Sequence, residues 1–281
     1  MRSVQPIPSV GNDISTRMSR PRQLLAVIGV WTIRFWLAPV RFLADAVAVI
    51  WQSCRPVTWR RTTRAAFIRQ CHAVGTRALP FILVSGVFVG FGMVAQALYW
   101  LEVFGGAWLF GGLLSVVLIQ EVAPVLVGLI VVGRSGSAII VELGTMKAEG
   151  RVHTLDALGI DPFLYLVIPR VLALTICMFC LTVAFVAVAM VAGFFSANLI
   201  GISKYSFFDF MDRILTSIDY REYFLFLAKT LTIGFVVGLL SCKTALSISG
   251  DSAHVLDILP RGFAKSALAT LLISVVLTIL L

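Results

Sequence analysis

Apolar residues run along this chain in long uninterrupted blocks, not in the two-residue alternation of a barrel strand or the half-polar pattern of a surface helix. Five blocks are long enough to cross a bilayer: about Leu79–Leu101, Leu109–Val132, Leu166–Leu199, Tyr223–Leu246 and Phe263–Leu281. The third is longer than a crossing needs, so it tilts or extends beyond the hydrocarbon. An all-α polytopic membrane bundle is therefore predicted, with residues 66–281 as its membrane domain. Ahead of it, residues 23–65 hold an apolar helix and a basic linker, and residues 1–22 form a polar tail without order. In the helix, Arg34, Arg41 and Asp45 fall within a sector of roughly 40° at 100° per residue. Basic residues flank both of its ends. A crossing helix would put one basic cluster outside, so an interfacial helix is expected, with both clusters in the cytoplasm.

Composition agrees with that pattern. Of 281 residues, 59% are hydrophobic and 13% charged, about half the charge of a soluble domain. The net charge of +9 matters less than its placement. Twelve of the 23 basic residues lie between Arg2 and Arg77, among membrane-seeking segments, which argues for anionic headgroups and against nucleic acid. With the N-terminus in the cytoplasm, 19 basic residues fall inside and only Lys204, Arg213 and Arg221 outside. The C-terminus is then periplasmic. No apolar core or cleavage site follows the first 22 residues, so no cleavable signal peptide is expected.

Against this background two residues stand out. Glu121 sits in the second apolar block, where a charge costs roughly 2.5–3.5 kcal/mol near the bilayer centre. Three residues on, Pro124 has no N–H for the carbonyl of Gln120. Two polar defects one turn apart mark a site within the membrane. Lys229 lies about 10 Å into the fourth block at 1.5 Å per residue. It either snorkels to the interface or neutralises Glu121.

Other chemistry is poorly supplied. The chain lacks a G-x-x-x-x-G-K-[ST] loop. His72, His153 and His254 are isolated, and Cys177-x-x-Cys180 lies in an apolar helix without a second pair. Ser135 and Ser137 have no base in reach of the pattern and read as small packing residues. The Gly86-x-x-x-Gly90 pattern with Gly92 suggests close helix contact, within the chain or across a dimer. Between the second and third blocks, Glu142–Leu158 has mixed charge with Val152, Leu155 and Leu158 on one face. Gly159 and Asp161-Pro162 stop it. It reads as a short amphipathic helix, either surface filler or a docking element.

Several ordered motifs resemble those of the MlaE (YrbE) permeases, membrane subunits of ABC transporters that work with MCE-domain proteins. Ser85-Gly86-Val87-Phe88-Val89-Gly90 with Gln96 is similar to S-G-x-F-x-G…Q, and Gln120-Glu121-Val122-Ala123-Pro124 to R-E-[LI]-G-P. Val132-Gly133-Arg134-Ser135-Gly136-Ser137-Ala138, Glu142-Leu143-Gly144-Thr145-Met146-Lys147, Asp156-Ala157-Leu158-Gly159-Ile160-Asp161-Pro162 and Pro169-Arg170 follow in family order. The resemblance implies a permease in the bacterial inner membrane that carries phospholipid to or from a periplasmic MCE ring. A separate ABC ATPase would use ATP-Mg, and this chain would hold no cofactor or metal and catalyse nothing. A second permease copy is implied, as a homodimer or half of a heterodimer. Lipid would sit near Glu121, Gln120 and Gln96, with Met93, Trp100, Leu101 and Phe104 lining the cavity by position. Residues 142–158 would be the coupling helix, meeting the ATPase through Lys147, Glu149, Arg151, Leu155 and Asp156. Three departures stand out: Gln120 where the family has Arg, Ala123 where it has Gly, and Glu149-Gly150-Arg151 where it has T-E-Q. A non-transporting scaffold for the same partners is the rival expectation.

Overall fold

The computed structural model describes residues 42–53, 61–104, 115–159, 161–199, 219–247 and 253–280, with three single positions between 200 and 218. The N-terminal tail and the stretch bearing Arg34 and Arg41 lie outside the described residues. Within the first 54 residues, helix α1 (Phe42–Ser53) is short and apolar. It exposes Leu43, Val47, Ile50 and Trp51, spaced as one helical face. That apolar stripe is what an interfacial helix needs.

The rest of the chain forms a second unit. Its described residues include five helices long and apolar enough to cross a membrane: Thr62–Ala97, Val117–Ala148, Phe163–Leu199, Tyr220–Leu246 and Ile258–Leu280. This is a multi-pass membrane protein. The helices α2 (Arg61–Phe104), α3 (Ala123–Val131), α4 (Ser137–Ala148), α5 (Arg151–Ala157), α6 (Ile168–Leu199), α7 (Tyr220–Leu246) and α8 (Ala253–Leu280) appear in that order. Widened i→i+5 turns at Ser115–Val122, Val132–Gly136 and Phe163–Val167 lead into α3, α4 and α6. The core sits where α6 meets α2 and α7, around Ile82, Leu174, Met178, Phe185 and Ile233.

Several boundaries differ from expectation, each for a physical reason. The linker predicted to end at 65 is helical from Arg61, so α2 runs 44 residues and about 66 Å at 1.5 Å per residue. Its first turns are basic rather than apolar, which hides them from a hydropathy pattern. The second span does not end at Val132. The widened turn at Val132–Gly136 carries Gly133-Arg134-Ser135-Gly136 without breaking the helix, which continues to Ala148. The expected single helix over 142–158 is broken. Gly150 adopts φ +75°, a conformation other residues enter at about 1–2 kcal/mol, so α4 stops and α5 starts in a new direction. Gly150 thus ends one helix instead of weakening the middle of another.

Small residues bring the helices together. A Cβ on Gly90 would lie 2.1 Å from the Ala189 carbonyl oxygen, and one on Gly86 3.2 Å from that of Phe185. The Gly86–Gly90 pair is therefore spent on α6 of the same chain, not on a dimer partner. Gly92 has nothing within 4 Å of that position.

Candidate functional site

The polar centre of the bundle is built where α3, α7 and α8 converge. Pro124 enters at the start of α3, directly after the widened turn Ser115–Val122, and cannot donate to Gln120. Lys229 takes over that task. It is fully buried on α7, and its ammonium donates to the Gln120 carbonyl at 3.0 Å and to Glu121 Oε1 at 2.7 Å. From α8, Thr278 Oγ1 donates to Glu121 Oε1 at 2.7 Å and Ser274 Oγ to Oε2 at 3.3 Å. One carboxylate thus gathers donors from two other spans. Each group answers another's desolvation, as buried charges must. The Glu121 side chain stays 38% exposed while that of Lys229 is 0% exposed, so the cluster is sealed on its α7 side and open on the other.

Of the residues singled out from sequence, Glu121, Gln120 and Lys229 meet here. The Gln120 side chain is buried, and its amide Nε2 has no partner among the described residues. Met93 is half-buried and Gln96 exposed, one turn apart on α2. Neither takes part in the hydrogen bonds of the cluster. Trp100, Leu101 and Phe104 continue α2, and their side chains lie outside the described residues. Ser274 and Thr278 escaped the sequence reading. Their signal was a row of hydroxyls at every fourth position of the last span, Ser266, Thr270, Ser274 and Thr278.

A second polar contact ties the far end of the same span to α6. Arg170 is buried, donates to the Leu166 carbonyl at 2.9 Å, and pairs with Glu142 at 2.7 Å. Lys147 donates to the carbonyl of Leu246, where α7 ends and its carbonyls lack helical partners. Beyond it, Glu149 and Arg151 form an exposed pair at 2.7 Å. Leu155 is half-exposed and Asp156 exposed on α5, a helix with no buried residue. The small-residue motif between these ends serves packing: Gly136 faces Ser241 of α7, and Ser137 Oγ donates to the Gly133 carbonyl at 2.6 Å.

The stretch of chain that carries these contacts is similar in sequence to known proteins. Residues 67–280 match the family model described as Permease MlaE. The chain belongs to the MlaE permease family. Among its relatives, a probable ABC transporter permease of Synechocystis is 30% identical over 210 residues, covering 74% of this chain and 79% of that protein. The Arabidopsis thaliana protein Trigalactosyldiacylglycerol 1, chloroplastic, is 29% identical over 200 residues, covering 71% and 55%. The intermembrane phospholipid transport system permease protein MlaE of Haemophilus influenzae is 33% identical over 135 residues, covering 48% and 50%. The MlaE match takes in the five spans of the described residues, save the first five residues of Thr62–Ala97. Both polar contacts, Glu121–Lys229 and Glu142–Arg170, fall inside it.

Proposed function

We propose that this chain is the permease subunit of an ABC transporter that moves phospholipid between the inner membrane and a periplasmic MCE-domain ring. ATP hydrolysis belongs to a separate ATPase chain, and a second permease copy completes the membrane core. The observation that carries the reading is the MlaE match over residues 67–280. The basic residues support an orientation with the N-terminus and α5 in the cytoplasm and the C-terminus in the periplasm. Glu121 then lies toward the periplasmic end of its span.

In this reading the headgroup meets the open side of the Glu121 cluster, with Gln120 buried behind it. Met93 and Gln96, with Trp100, Leu101 and Phe104 beyond them, supply the rest of the cavity. Acyl chains need only an apolar wall. The ATPase presses on α5 and the end of α4, and Val117–Ala148 carries the push over about 40 Å to Glu121 as one helix.

Two measurements test the proposal. The chain is purified with its ATPase and MCE partners, and bound molecules are extracted and identified by mass spectrometry. Phospholipid is expected in the wild type and reduced in Glu121→Lys. Partners retained with no lipid above a detergent blank would point to a scaffold instead. Separately, Arg151→Glu should lower recovery of the ATPase several-fold and leave lipid occupancy unchanged. Undiminished ATPase recovery removes α5 as the docking face.

A further inference from the structure

A second, separate feature lies midway along the second span. There α2 and the turn leading into α4 enclose an open cavity of about 780 Å³. Phe81, Val84, Phe88 and Val89 form its α2 wall, and Ile130 and Arg134 close the other side. The wall is apolar for two helical turns, about 10 Å at 1.5 Å per residue. Ser85, its one hydroxyl, is already used by the Ile82 carbonyl at 3.0 Å. At the mouth, the Arg134 guanidinium stacks on the Phe81 ring, 4.1 Å from its centroid. Arg134 is exposed and makes no ion pair among the described residues. Arg77, also exposed, stands one turn before Phe81 on the same face of α2.

We propose that this groove binds an anionic glycerophospholipid, its phosphate held by Arg134 and Arg77 and one acyl chain laid along Phe81–Phe88. Both cations lie where the apolar blocks of their spans end along the sequence, Arg77 just before Leu79 and Arg134 just after Val132. Basic pockets between transmembrane helices are recognised ways to hold acidic headgroups. The guanidinium fork fits a phosphate in two parallel hydrogen bonds, and stacking on Phe81 fixes its plane. Charge argues against a second copy of this chain as occupant. It would bring an apolar helix on a chain of 23 basic against 14 acidic residues, a poor match for two arginines. The inference does not rest on transport, since the site lies apart from Glu121 and needs no ATPase.

The test uses the full chain in vesicles of mixed phosphatidylcholine and phosphatidylglycerol. Photo-crosslinking analogues of each lipid are compared, and labelled peptides are mapped. The phosphatidylglycerol probe should label the Phe81–Phe88 peptide roughly fivefold more per contributing cation. Arg134→Gln should bring that ratio down by about one such factor. Val84→Trp, which fills the groove and keeps both cations, should cut labelling by both probes. Equal labelling by the two probes in the wild type overturns the proposal, as does a preference left undiminished by Arg134→Gln. Efficient crosslinking of Val84→Cys to another copy would make the groove a protein interface and also overturn it.

Discussion

Glu121→Gln should destabilise the purified chain more than Lys229→Met, although both break the same 2.7 Å pair. The asymmetry follows from burial. With glutamine at 121, the Lys229 ammonium remains fully enclosed with only neutral oxygens to face. Breaking a buried pair by removing one charge costs about 3–5 kcal/mol, and about 3 kcal/mol is expected here because Glu121 is partly open. With methionine at 229, the carboxylate keeps Ser274 and Thr278 and its open side, so about half that loss is expected. The Gln120 carbonyl loses a donor in that variant and adds a smaller term. In the double variant neither charge is stranded, so it should be more stable than Glu121→Gln alone. Midpoints of thermal unfolding in one detergent decide the order. Equal single losses, or a double variant at their sum, would mean the pair does not bind α7 to α3 as described.

That cluster shows how far residues alone can lead. The defect at Gln120–Pro124 and the carboxylate beside it were legible, because both are improbable in an apolar helix. The cation was visible too, but its partner was not: Lys229 and Glu121 are 108 residues apart, and either snorkelling or pairing fits its depth. Only the packing of α7 against α3 chooses. Likewise the five spans were legible from unbroken apolar length, while their ends were not. Arg64, Arg69 and Arg77 disguise the first turns of α2, and Gly133–Gly136 looks like a helix end until a widened turn absorbs it. Gly150 was visible only as a departure from the family's T-E-Q, because the sequence does not reveal a left-handed turn there. Glu142 and Arg170 were each visible as motif residues, and their pairing was not, because it joins two helices through a turn around Asp161.

Glycines on α2 give the sharpest remaining contrast. Gly90→Ala should cost about 3 kcal/mol or more, at or above the upper range for overpacking. A methyl there would lie 2.1 Å from the Ala189 carbonyl oxygen and 2.5 Å from its Cα. Both are backbone atoms, so no side-chain rotation relieves the clash, and α2 must separate from α6 along their contact. Separation also draws Val94 away from Gly193, where it fits only because that residue has no Cβ. Gly92→Ala, two residues away, meets nothing within 4 Å. It should be neutral or gain up to about 1 kcal/mol, since alanine favours the helix over glycine. The two variants make the same chemical change in the same helix, so membrane insertion and helix propensity cancel in the comparison. Yield of monodisperse protein and unfolding midpoint should fall for Gly90→Ala alone. Matching losses at both positions would show that α2 rejects any added methyl, and that the α2–α6 contact is not what confines Gly90.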